Sequence, residues 1–127
     1  MDNDRCSVVE IGKEKYELVL SVKATKEIAK KYGGLDNLGD KLMKPENFEA
    51  ALDEVVWLIT LLANQGILKN NLLNGEEREL LTEEKVELLT LPSDLALFNT
   101  VITEAVHKGT KRYVESEEQG SKNEQVG

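Results

Sequence analysis

Residues 55–66 read VVWLITLLANQG, and eight of the first nine are apolar. In a chain of 127 residues with a net charge of −8, such a stretch has three destinations. It can enter a membrane, form a core helix, or form a helix covered on two sides, one of them by a partner. Length argues against the membrane, because a spanning helix needs about 20 predominantly apolar residues. Asp53 and Glu54 stand before the run and Asn64 and Gln65 after it, which leaves less than half that length.

A helical wheel separates the other two destinations. At about 100° per residue, Phe48, Leu52, Val55, Ile59, Leu62 and Ala63 gather into one stripe, expected to face the core. Trp57 falls almost opposite, with Ala50 and Leu61 nearby, Leu58 at the border and Glu54 sharing the face. A helix apolar nearly all round has to be covered on both sides. The second cover comes either from this chain, through an N-terminal hairpin or Leu72 and Leu73, or from a partner. In the second case Trp57, Leu61, Leu58 and Ala50 form the docking face.

The flanking sequence predicts an α+β fold, mainly α-helical, with a β-hairpin packed on a small bundle of amphipathic helices. Residues 7–22 alternate in the strand period, with Tyr16, Leu18, Leu20 and Val22 on one side and Glu17, Val19 and Ser21 on the other. Gly12 and Lys13 make the turn. Ala24, Ile28, Ala29 and Tyr32 then form a helical stripe over about residues 24–33, stopped by Gly33-Gly34. Leu35, Leu38 and Leu42 suggest a short helical piece, and Pro45 suits the first turn of a helix over about 45–65, with Gly66 just past its end. Residues 67–80 are turn-rich, Asn74-Gly75 being the strongest signal. Thr82 starts a helix over about 83–90, Pro92 ends it, and Ser93 and Asp94 open the last helix, about 94–115. On that helix Leu95, Phe98, Val101, Ile102, Ala105, Val106, Gly109 and Tyr113 share the apolar face. Residues 1–115 read as one globular domain and 116–127 as a disordered acidic tail.

The chemistry of catalysis is missing from this pattern. His107, the only histidine, falls among polar residues, and no second His or Cys pair accompanies it, so no metal site is expected. No Gly-rich phosphate loop occurs, and the carboxylate pairs lie in an acidic stretch where they read as solvated faces. The Asp and Asn residues of 70–77 lack calcium-loop spacing. Neither enzymatic activity nor a cofactor is expected. Residues 46–127 hold seven Lys or Arg against sixteen Asp or Glu, which repels phosphate backbones and disfavours nucleic acid. Lys23, Lys26, Lys30 and Lys31 read as a solvated helix face. Cys6 is the only cysteine, and the first residues lack a signal-peptide pattern, so the expected location is the cytoplasm.

The order of elements carries a resemblance. The hairpin IGKEKYELVLSV runs into a short helix ending KKYGGL, followed by the apolar helix FEAALDEVVWLITLLANQG. Then come LLTEEKVELL, the proline-bounded LPSDLALFNTVITEAVHKG and a polar acidic end. Over roughly residues 8–110 this resembles the small tail assembly chaperones of siphophages and prophages of Gram-positive bacteria. The resemblance implies a non-enzymatic protein that coats the hydrophobic tape measure protein and recruits tail tube subunits in the host cytoplasm. It brings no catalytic residues with it. A structural minor tail or connector protein and a non-phage helical adaptor remain as other readings, and a homo-oligomer stays open because the hairpin edge can pair with a second chain.

Overall fold

The computed structural model describes residues 6–34, 37–38 and 47–108. Two strands, β1 (Cys6–Ile11) and β2 (Glu14–Val19), form an antiparallel hairpin. Helices α1 (Val22–Tyr32), α2 (Phe48–Asn74) and α3 (Glu83–Leu89) follow, then a 3-10 turn (Pro92–Asp94) and a last helix, α4, over residues 95–108. The fold is therefore α+β and mainly helical, with an N-terminal hairpin, as the periodicity predicts. The piece around Leu35 and Leu42, Pro45, residues 109–115 and the tail lie outside the described residues. Of the three leucines of that piece, only Leu38 lies among the described residues, and it is buried.

The hairpin register pairs Val9 with Tyr16 and Ser7 with Leu18, and all four side chains are buried. Gly12 turns the chain at φ 68°, the conformation a two-residue II′ turn requires at its first position. Val22 departs from expectation. It begins α1 and stands exposed, because the strand ends at Val19 and the Ser21 hydroxyl caps the new helix by accepting from the Ala24 N–H at 3.0 Å. Ala24, Ile28 and Tyr32 point inward while Ala29 is exposed. Gly33, at φ 85°, closes α1 by donating to the Ala29 carbonyl.

The main correction concerns α2, which runs 27 residues to Asn74 and is closed by Gly75 in the left-handed conformation. Gly66 does not end it. A Cβ at Gly66 would lie 2.3 Å from the Glu17 carbonyl oxygen, so the glycine lets β2 lie against the helix backbone. The same strand residue fixes its side chain along α2, taking a hydrogen bond from Asn70 at 3.1 Å and an ion pair from Lys69 at 3.6 Å. With the full helix, length no longer argues against a membrane. By length and composition alone α2 could cross one, but more than half of its most apolar window is buried within this fold.

A second finding explains the polar end of the apolar run. The Asn64 side chain pairs with Leu81 as a strand would, its Oδ1 accepting from the Leu81 N–H at 2.7 Å and its Nδ2 donating to the Leu81 carbonyl at 2.9 Å. Asn71 does the same to Arg78, both distances 3.2 Å. Seven helical residues rise about 10.5 Å, and three extended residues span about 10 Å, so two asparagines a heptad apart match positions 78 and 81 on an antiparallel return segment. Arg78 also lies over the Tyr16 ring at 4.9 Å and pairs with Glu14 at 3.0 Å, tying that segment to the hairpin. Thr82 then caps α3 through the Lys85 N–H, and Val86 anchors that helix in the core. Phe98, Ile102 and Ala105 of α4 close the core, and Ser7 donates to Glu104 at 2.9 Å.

Replacing a mid-helix glycine by alanine ordinarily stabilises by about 1 kcal/mol. At Gly66 the added methyl meets strand backbone, and overpacking of this kind costs about 1–3 kcal/mol or more. Gly66→Ala should therefore lower the thermal midpoint by several degrees, read by circular dichroism. A midpoint at or above that of the parent chain would contradict the close contact.

Candidate interaction surface

The four residues singled out for docking do not share one exposed face. Leu58 is wholly buried in the core, while Trp57, Leu61 and Ala50 are partly buried. Trp57 is covered in part by α1 of this chain, while Leu72 and Leu73, one of the covers the sequence suggests, are exposed. The Tyr32 ring meets Trp57 edge-on, centroids 6.0 Å apart and planes at 80°, an arrangement that suits the two ring quadrupoles. The Lys31 ammonium sits 4.9 Å from the centre of the Trp57 ring. One turn before Trp57, the Glu54 carboxylate accepts the Tyr32 hydroxyl proton in a hydrogen bond. Glu54 thus explains its own presence on an apolar face: it satisfies a tyrosine hydroxyl that α1 buries there.

Burial, then the hydrogen bond to Glu54 and its negative charge, hold the Tyr32 proton well above the ordinary tyrosine range. Further along, Ser21 donates to the side-chain oxygen of buried Gln65. Among the described residues no buried side-chain nitrogen or oxygen lacks a partner. The polar groups of this side of α2 are spent on α1, which leaves it little to offer a partner.

Apolar surface is instead concentrated on the later part of the chain. Leu72, Leu73, Leu88, Leu89, Leu91 and Leu97 are each more than half exposed, as is Phe48 at the start of α2. Phe48 and Leu52, expected in the core stripe, lie outside it at the N-terminal end of α2: Phe48 is 67% exposed, Leu52 is partly buried, and the buried stripe starts at Val55. Between that end and the α3–α4 connection lies a groove of about 250 Å³ lined by Leu52, Val56, Glu87, Thr90, Leu91, Pro92 and Leu95. Its volume is below the about 300–1,000 Å³ of small-molecule sites, and suits an anchor side chain or two from a protein. In the sequence alone, Pro92 reads only as a breaker and Leu95 only as a core position. The groove forms because Pro92 and the Asp94 carboxylate, which accepts from the Leu91 N–H at 2.9 Å, turn the chain sharply between two helices.

His107 is exposed on α4, and among the described residues no three His, Cys, Asp or Glu side chains gather to hold a metal ion.

The pH dependence of the α1 contact has a definite sign. Because folding raises the Tyr32 pKa above the unfolded value of 10.0, its contribution is complete below pH 10 and declines as pH rises further. Tyr32→Phe should cost about 1 kcal/mol near neutral pH, since Glu54 is partly solvated. In urea titrations the gap between the two chains should hold up to about pH 10 and narrow as pH rises above it; a gap that widens above pH 10 would contradict the buried hydroxyl. In comparisons with known proteins, no family, curated protein or solved structure matches this chain.

Proposed function

We propose that this chain is a non-enzymatic chaperone of phage tail assembly, acting in the bacterial host cytoplasm, that holds a tape measure protein and brings tail tube subunits to it. The element order over residues 8–110 resembles such chaperones, and the observation that best supports the reading is the exposed leucine-rich surface. Six leucines between Leu72 and Leu97 stand more than half exposed; one of them, Leu91, lines the groove with Leu52, Val56 and Leu95, and an open apolar groove of this kind marks a docking region. The long apolar client of such a chaperone offers matching chemistry. The binding region moves from the Trp57 face, which α1 occupies in part, to the groove between α2 and the α3–α4 connection.

The remaining surface suits that role. Residues 47–108 carry eleven acidic and four basic side chains, so copies arrayed along one client repel one another and keep the loaded assembly dispersed. Weak single contacts gain strength when many copies engage one long chain.

Co-expression with the tape measure protein of the same phage or prophage tests the proposal. The expected result is a dispersed complex that purifies as one species, with the chain missing from finished particles by mass spectrometry. Stoichiometric incorporation into particles would instead favour a structural tail component, and absence of any complex would overturn the chaperone reading.

A further inference from the structure

We infer that the groove between α2 and the α3–α4 connection takes an amphipathic helical segment with basic flanks, supplied by a different protein. This rests on the proposed binding role and names the chemistry of the segment that is bound. The floor is apolar: Leu52 and Val56 from one side, Leu91, Pro92 and Leu95 from the other. Phe48, one turn before Leu52 and on the same helix face, extends it.

The rims are acidic on both sides. On α2, Glu49 and Asp53 are exposed and fall on the face that carries Leu52 and Val56, by the helical spacing of three, four and seven residues. On α3, Glu87 lines the groove and Glu83 stands one turn earlier on the same side. The cation nearest in sequence, Lys85, is held by Glu79 at 3.5 Å. An apolar floor between two carboxylate rims selects a helix with a leucine-like stripe bordered by lysine or arginine, since like charges placed opposite the rims are rejected.

Among the described residues, no segment of a second copy of this chain meets that description. Its basic helix within the described residues is α1, where Lys23, Lys26, Lys30 and Lys31 are exposed. The apolar side of α1, Ala24, Ile28 and Tyr32, is already buried in its own core. That helix can present charge to the rims but no apolar stripe to the floor.

The test uses the full chain and two labelled peptides of about 18 residues, long enough to form a helix. Both carry the same leucine stripe, one flanked by lysines and the other by glutamates. Fluorescence anisotropy at about 0.15 M salt, where charges within about 8 Å still interact, should show the lysine peptide binding at least about tenfold more tightly, a difference of about 1.4 kcal/mol. Amide chemical shifts should move around Leu52, Leu91 and Leu95. Reversing the rims with Glu49→Lys, Asp53→Lys and Glu87→Lys should exchange the two preferences, and because these side chains are exposed the fold should survive, as circular dichroism will show. Equal affinity for both peptides, shifts centred elsewhere, or self-association of the chain through the groove by sedimentation would overturn the inference. If the tape measure complex forms while the lysine peptide fails, the basic-helix inference falls and the chaperone reading stands. If the peptide binds and no tape measure complex forms, the reverse holds.

Discussion

The backbone contact between β2 and α2 at Gly66 sets the position of nearly everything else. A strand carbonyl can lie this close to a helix only where the helix has no Cβ. Once Glu17 is seated there, its side chain is held by Asn70 and Lys69, and the chain leaves the strand directly into the Ser21 cap beside Gln65. That junction aims α1 back along α2 until Tyr32 reaches Glu54 and Trp57. One close approach therefore orients both the hairpin and the first helix, and the apolar burial of Leu18, Ile28, Ile59 and Leu62 supplies the driving energy, about 1.5–3 kcal/mol for each side chain.

The other side of α2 is held by side chains standing in for a strand. Asn64 and Asn71 each satisfy both backbone groups of a residue on the return segment, so residues 78–81 lie along the helix without belonging to a sheet. Unmet, a buried backbone group of that kind costs about 1–3 kcal/mol. These bonds make an otherwise irregular connection specific and deliver α3 to the place where its end, Pro92 and the start of α2 enclose the groove. The result is a helix buried along one side over residues 55–67 whose first turn is less covered, with Phe48 exposed and Leu52 partly buried.

The hairpin, the stop of α1, the cap of α3 and the inward face of α4 were legible in the sequence, because each rests on local chemistry: strand alternation, a glycine at positive φ, a threonine before two glutamates. The two apolar faces around Val55 and Trp57 were legible for the same reason. What covers the second face was not, since that depends on where α1 lies and on a tyrosine 22 residues before Glu54. The end of α2 was misplaced because a glycine after Asn64 and Gln65 resembles a helix stop. Nothing local distinguishes a glycine that ends a helix from one that admits a neighbouring strand. The heptad of Asn64 and Asn71 was visible, but its meaning needs the extended segment opposite. Likewise Leu91 and Leu95 read as ordinary apolar positions until the turn at Pro92 sets them across from Leu52.

Hydrogen exchange on the full chain, free and bound to the tape measure protein, tests most directly whether α2 is a closed scaffold with one open end. In the free chain the amides of residues 55–67 should be the slowest to exchange and should exchange only through global opening. Binding should leave them unchanged and add protection at residues 48–56 and 88–97. Protection gained instead around Trp57 and Leu61, with α1 becoming faster to exchange, would mean that α1 yields its place to the client and that the open surface lies where α1 now packs.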